Sequence, residues 1–343
     1  MRSSATVEHM KKGLVLEIQR MSTEDGPGLR TTVFFKGCSL KCAWCHNPES
    51  ISLLPQIHWI GSRCIGCRTC LDTCPHEALS MTPKGILIDR DGCDGCGLCV
   101  EECPSTALEL LGESWRLEDL VREVLKDRVY FEKSDGGVTV SGGEPTIQAD
   151  FAAEFLKQIR AQGIKTALDT CGLCSVRALD KLLPYANLVL FDLKEIDTRR
   201  HLEFTGSDNR TILENLVHAA DYIDSHLYPE GLWIRTPIIP GATDTERNIN
   251  GIGAWIKTHL DQKVKRWELC AFNNLCRDKY ARLGLTWQFE NADLLEENHI
   301  QQLVSVAKHS GVNPDIVHWS GSLKFEASET DRESEKNGLK IVP

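Results

Sequence analysis

Residues 31–45 read Thr31-Thr-Val-Phe-Phe-Lys36-Gly-Cys38-Ser-Leu-Lys-Cys42-Ala-Trp-Cys45. The β-branched and aromatic run before Gly37 predicts a strand. The three thiols follow as C-x3-C-x2-C on the loop that leaves it. Thiolates are soft ligands for iron or zinc, and three of them leave one coordination position open, as a catalytic metal requires. A zinc site completed by His46, or a redox C-x-x-C, would use the same residues.

Downstream of this strand the pattern repeats. Further strands are predicted at 137–140, 165–168, 188–191, 232–237 and 267–271. Helices are predicted at 117–127, 149–161, 176–183, 212–223, 245–259 and 294–309. Strand–helix alternation implies a parallel sheet with helices outside it. About six such units suggest an α/β fold of the incomplete barrel kind, a partial (β/α)6 barrel. A doubly wound open sheet is the alternative.

Between the first two strands the alternation stops. Eleven of the fifteen cysteines lie from Cys38 to Cys103, and eight of these form an internal repeat. Cys64, Cys67, Cys70 and Cys74-Pro75 recur as Cys93, Cys96, Cys99 and Cys103-Pro104, and both copies continue into Ala-Leu. Residues 55–112 are therefore expected to be an insert. It divides the barrel into 14–54, which carries the Cys38 loop, and 113–325. A charged tail, expected to be disordered, follows at 326–343. Paired zinc knuckles usually stand across a longer spacer.

The repeat C-x2-C-x2-C-x3-C-P resembles bacterial two-cluster ferredoxins. The resemblance implies an α+β ferredoxin-like domain with two [4Fe–4S] clusters. One would be held by Cys64, Cys67, Cys70 and Cys103, the other by Cys93, Cys96, Cys99 and Cys74.

Composition excludes some functions. A net charge of −10 offers no general footprint for nucleic acid or an anionic membrane. No apolar run is long enough to span a bilayer, and the polar N-terminus lacks a secretory core, so a cytoplasmic protein is expected. In a reducing compartment, closely spaced cysteines are metal ligands rather than disulfides.

The motifs together resemble the radical S-adenosylmethionine (SAM) superfamily. Within it they resemble the activating enzymes of glycyl radical enzymes. The likeness rests on the Cys38–Cys45 loop, Asp25-Gly-Pro-Gly-Leu-Arg30, Trp44-Cys45-His46-Asn47-Pro48 and Ser141-Gly-Gly-Glu-Pro145. Asp169-Thr-Cys-Gly172, Asp192-Leu-Lys194 and Ile239-Pro-Gly241 complete it. It implies a third [4Fe–4S] cluster on Cys38, Cys42 and Cys45, whose open iron SAM chelates. An electron then cleaves SAM to a 5′-deoxyadenosyl radical, which abstracts hydrogen from a glycine of the partner enzyme. Gly142, Gly143 and Glu144 are expected at the SAM ammonium, the glycines giving close backbone approach. Lys194 is expected at the SAM carboxylate, beside Leu193. Asp169 and Asp192 are expected around that carboxylate or a monovalent cation, and Trp44 and His46 at adenine. Phe272 and Asn273 replace the family's late Tyr-His pair; Asn273 can bond a ribose but cannot titrate. That departure points toward the arylacetate or hydrocarbon–fumarate branch. Flavodoxin or ferredoxin is the implied electron donor. Cys171, Cys174, Cys270 and Cys276 are read as non-ligands. A radical SAM enzyme with a small-molecule substrate and a ferredoxin-type electron carrier are the competing functions.

Overall fold

A computed structural model describes residues 12–324. The chain opens with β1 (Lys12–Ser22), which pairs antiparallel with β2 (Arg30–Phe35). In β2, Val33 and Phe35 are wholly buried, as the strand at 31–36 requires.

The insert comes next. It holds β3 (Gln56–Trp59), α1 (Thr69–Thr73), β4 (Leu79–Thr82), β5 (Gly85–Ile88), α2 (Leu98–Glu101) and β6 (Leu108–Leu111). β3 pairs with β6 and β4 with β5, both antiparallel. The repeat in the sequence is a repeat in structure. Each helix starts after a left-handed residue, Arg68 or Gly97. The last thiol of each run then accepts from a backbone N–H four residues on, Ala78 to Cys74 and Ala107 to Cys103. The insert has its own small core of Ile57, Cys70, Leu79, Ile86, Cys99 and Leu108.

The main sheet resumes at β7 (Glu113–Arg116), followed by α3 (Leu117–Val124), α4 (Arg128–Ser134), β8 (Gly137–Gly142) and α5 (Ala149–Ala161). Then come β9 (Lys165–Thr170), α6 (Val176–Leu182), β10 (Leu188–Asp192), α7 (Thr198–Thr205) and α8 (Arg210–Ser225). The chain continues through β11 (Gly231–Ile238), α9 (Glu246–His259), β12 (Arg266–Ala271), α10 (Arg277–Leu283), α11 (Glu297–His309) and β13 (Val317–Ser320).

The nine strands lie in the order β13-β12-β11-β10-β9-β8-β2-β1-β7. From β2 to β13 every neighbouring pair is parallel. Among these parallel strands the order never reverses, so they have no switch point and the doubly wound alternative is set aside. Right-handed crossovers that all step the same way place the helices on one face. All six predicted strands are present; the seventh parallel strand, β13, corrects the count of six. Its four residues, Val317-His-Trp-Ser320, are too short a run to declare a period. The expected tail at 326–343 lies outside the described residues. Among the described residues no helix is long and apolar enough to cross a membrane.

Candidate functional site

In a parallel sheet wound one way, the C-terminal strand ends gather on one rim. Here β2, β8, β9 and β10 each end on a residue of interest. The Cys38 loop is fixed at its root by Gly37 N–H to Ser50 O (2.6 Å) and Cys38 N–H to Ile51 O (3.1 Å). Its middle hangs on the end of α7 through Lys41 N–H to Thr205 O and Ala43 N–H to Phe204 O. Cys45 closes a turn onto Cys42 O (3.0 Å), and its own carbonyl accepts from the Tyr280 hydroxyl (2.9 Å).

The three thiols face inward. Burial pushes Cys38 up to about 12 and raises Cys42 and Cys45 as well; Lys194 opposes the shift in all three. Half-buried thiols that raise one another's pKa need a cation beside them to ionise. The donor set therefore fits a cationic metal group. Among the described residues no three His, Cys, Asp or Glu side chains are gathered closely enough to grip a single ion.

The close approach expected at Gly142 and Gly143 is made to the chain itself. A Cβ on Gly143 would collide with Gly37 O and lie 2.8 Å from Ser50 O; one on Gly142 would collide with the backbone of Phe35. Gly143 N–H and Glu144 N–H donate to Phe35 O (2.8 Å) and Gly37 O (2.7 Å), so β8 ends clasped to the loop root. Glu144 is wholly buried. Its carboxylate accepts from Thr146 N–H (3.1 Å), the Thr170 hydroxyl (2.8 Å) and Cys171 N–H (2.8 Å). That ties the ends of β8 and β9 together.

On β9, Asp169 Oδ2 accepts from the Ser141 hydroxyl (2.6 Å) and lies 3.5 Å from Arg235 Nη1; Oδ1 is buried without a partner. Burial, helped by Asp192 and Asp25 and opposed by Arg235 and Ser141, pushes Asp169 up to about 7. After β10, Lys194 Nζ donates to Asp192 Oδ2 (2.5 Å). Burial works against the Lys194 charge, but Asp192, with Cys42 and Cys171 nearby, outweighs it and holds the ammonium above its ordinary range. Leu193 is buried between them, its N–H bonded to Arg235 O (2.9 Å).

Trp44 packs among aromatic rings, 5.8 Å from Phe204 and 6.4 Å from Phe289. His46 lies 6.1 Å from Phe272, and its Nε2 is buried with no partner; burial lowers its pKa. Asn273 Oδ1 accepts from Leu275 N–H (3.2 Å).

The insert sorts its thiols into two groups. Cys64, Cys67, Cys70 and Cys103 line one cavity. Burial pushes Cys99 up to about 11, and the thiols that add to the shift are led by Cys93, Cys74 and Cys96.

Sequence reasoning missed Arg235 and Tyr280, and it read Cys171 as a non-ligand. Arg235 is the lone charge in the apolar run Leu232-Trp-Ile-Arg-Thr-Pro237, and a charge inside a covered strand is itself a signal. Cys171 lies beside the loop, its Sγ 3.8 Å from the Ser39 hydroxyl. Nothing local in the sequence marks Tyr280.

Comparison with known proteins agrees with this layout. The pattern that defines the Radical SAM superfamily matches residues 32–249. The chain is 35% identical to the (2S)-3-sulfopropanediol dehydratase activating enzyme of Klebsiella oxytoca, over 88% of this chain and 96% of that one. It is 35% identical to the trans-4-hydroxy-L-proline dehydratase activating enzyme of Clostridioides difficile, over 88% and 98%. To the benzylsuccinate synthase activating enzyme of Thauera aromatica it is 33% identical, over 88% and 92%.

Proposed function

The chain belongs to the radical SAM superfamily and, within it, to the activating enzymes of glycyl radical enzymes, and we propose that Cys38, Cys42 and Cys45 hold its SAM-binding [4Fe–4S] cluster. When bound, that cluster and SAM supply the radical that takes a hydrogen atom from a glycine of the partner enzyme. The observation that carries the assignment is the gathering of three inward thiols, Lys194–Asp192 and Glu144 at neighbouring strand ends.

The rest of the site follows from charge and lone pairs. Lys194 supplies the cation for the SAM carboxylate. Glu144 keeps acceptor capacity on Oε2, which takes one donor, for the SAM ammonium. Gly142 and Gly143 hold that carboxylate in place through the loop root. The unpartnered Asp169 Oδ1, with Asp192 close by, suits a monovalent cation. His46, Trp44 and Asn273 border the adenosine side, where His46 Nε2 awaits a partner. The sheet, open between β13 and β7, is read as a partial barrel whose mouth admits the partner's glycine segment.

The insert, residues 55–112, is read as a ferredoxin-like domain with two further [4Fe–4S] clusters. Cys64, Cys67, Cys70 and Cys103 hold one, and Cys93, Cys96, Cys99 and Cys74 the other. With four thiols each, these clusters have no open iron and serve as a relay from flavodoxin or ferredoxin. Identity is level, 33 to 35%, across relatives named for a sulfopropanediol, a hydroxyproline and a benzylsuccinate enzyme. Overall likeness thus gives the arylacetate or hydrocarbon lean no added weight.

The test is anaerobic. Reduced, reconstituted protein should form 5′-deoxyadenosine from SAM, and a glycyl radical signal should appear only with the cognate partner. Replacement of Cys38, Cys42 and Cys45 by alanine should abolish both; cleavage that survives it would refute the assignment.

A further inference from the structure

The two thiol sets of the insert are related by sequence, but their surroundings differ. β3 leaves the main sheet at Gln56, whose Oε1 accepts from Lys36 Nζ (2.9 Å), and reaches Trp59 three residues later, about 10 Å away at the usual strand rise. The cavity of Cys64, Cys67, Cys70 and Cys103 begins at Trp59. Its lining comes wholly from residues 59–108, with no contribution from the main sheet.

The other set sits at the root. Gly95, in the turn between Cys93 and Cys96, lies so close to Pro55 that a Cβ there would collide with the Pro55 carbonyl. Two residues back, Leu53 Cδ2 would lie 2.6 Å from a Cβ on Gly37, the residue before Cys38. Residues 53–55 are thus a short strap between the Cys93–Cys96 turn and the Cys38 loop. A second link runs through Arg90, three residues before Cys93. Its guanidinium donates to Ile57 O and to Arg282 O (3.4 Å), at the end of α10. From α10, Tyr280 donates to Cys45 O.

We propose that the insert is a polarised relay. Cys74, Cys93, Cys96 and Cys99 form its inner station, next to the Cys38 loop. Cys64, Cys67, Cys70 and Cys103 form its outer station, where the electron enters. This rests on the reading of both sets as [4Fe–4S] sites. A low-potential one-electron carrier protein is oxidised by one electron at the outer set. That electron passes to the inner set and then to the Cys38 cluster, with no bond made or broken until the C5′–S bond of SAM accepts it and methionine leaves. Cys67 and Cys96 are both exposed, so exposure does not choose the entrance; adjacency to the Cys38 loop does.

The test uses electron paramagnetic resonance of the full-length, reconstituted, reduced protein. The signal that SAM perturbs belongs to the Cys38 cluster, and its microwave power saturation reports the nearest paramagnet. Cys96→Ser and Cys67→Ser each alter one exposed ligand and lower the potential of one cluster, keeping it diamagnetic under partial reduction. Cys96→Ser should make the SAM-sensitive signal saturate at several-fold lower power. Cys67→Ser should leave it within twofold of the parent. If a variant loses its insert, the gentler pair Asp94→Asn and Thr69→Val replaces it. Asp94→Asn removes a negative charge and raises the inner potential, so under partial reduction the SAM-sensitive signal should need several-fold higher power to saturate. Thr69→Val lowers the outer potential and should leave that signal within twofold of the parent. Asp94 accepts from Cys96 N–H (3.0 Å), and Thr69 donates to Cys67 Sγ (3.5 Å). The reverse pattern, equal effects, or no effect from either would overturn the order while leaving the Cys38 assignment intact. Were SAM to perturb no signal at all, the Cys38 assignment would fail and the relay with it.

Discussion

Gly143 shows how little room one position has. Its hydrogen faces the carbonyls of Gly37 and Ser50, both at the root of the Cys38 loop. Backbone cannot swing aside as a side chain can, so Gly143→Ala should cost roughly 1–3 kcal/mol, the range for overpacking. Chemical denaturation would measure it, and weaker SAM binding should accompany it. Asp169 gives a pH signature. Its folded pKa, about 7, lies above the ordinary carboxylate range, mainly through burial. Between about pH 4 and 7 the folded protein keeps a proton that the unfolded chain has released, so this group's contribution to stability falls as pH rises through that window. The stability of the parent relative to Asp169→Asn should fall from pH 5 to 7 and level off above. A difference flat with pH would show that Asp169 titrates normally. The strand-end positions of Asp169 and Lys194 were legible because each follows a β-rich run. Arg235 was not, because its run was read only for its apolar residues.

Among elements, α10 links the Cys38 loop to the insert with seven residues. Lys279 reaches Asn47 Oδ1 (2.6 Å) and Glu49 Oε1 (2.7 Å), Tyr280 reaches Cys45 O, and Arg282 O meets Arg90 of the insert. Tyr280→Phe keeps the ring stacked 5.3 Å from Trp287 but strips the Cys45 carbonyl of its donor. The expected loss is roughly 1–3 kcal/mol, the cost of an unsatisfied buried polar group. Denaturation midpoints of parent and variant would check it; identical midpoints would mean that water replaces the hydroxyl. The sequence hid α10 because its seven residues, Arg277–Leu283, follow Cys276 without a capping side chain and are mostly polar. By contrast α5, Ala149–Ala161, was readable to the residue, since Phe151, Phe155 and Ile159 recur at helical spacing on a covered face. β1 escaped notice because it lies antiparallel outside the strand–helix alternation that guided the reading.

At the scale of the molecule, the described residues form three cores: the large one of the sheet, a smaller aromatic one around Trp44 and Phe272, and that of the insert. The main core runs from Val15 to Val317, whereas that of the insert consists of six residues, two of them cysteines. A core so small does not hold a fold unaided, and the two clusters proposed for the insert would supply the difference. Reconstituted protein should carry about twelve irons, four for each cubane. Chelation should then expose residues 60–105 to a protease while the sheet resists digestion. Cleavage spread evenly over both regions would show that the insert does not depend on its iron. The cysteine repeat marked the stretch in which the small core lies. The order of the strands was not legible, because the side to which each right-handed crossover steps leaves no local pattern.

The pairing of β3 with β6 has one more consequence. Gln56 faces Leu111 across that ladder, so the chain leaves the main sheet and returns to it at nearly the same point. Such a detour can be lengthened, shortened or exchanged in evolution without shifting the strands on either side. On the relay proposed for the insert, the supply of electrons and the radical chemistry can therefore diverge separately.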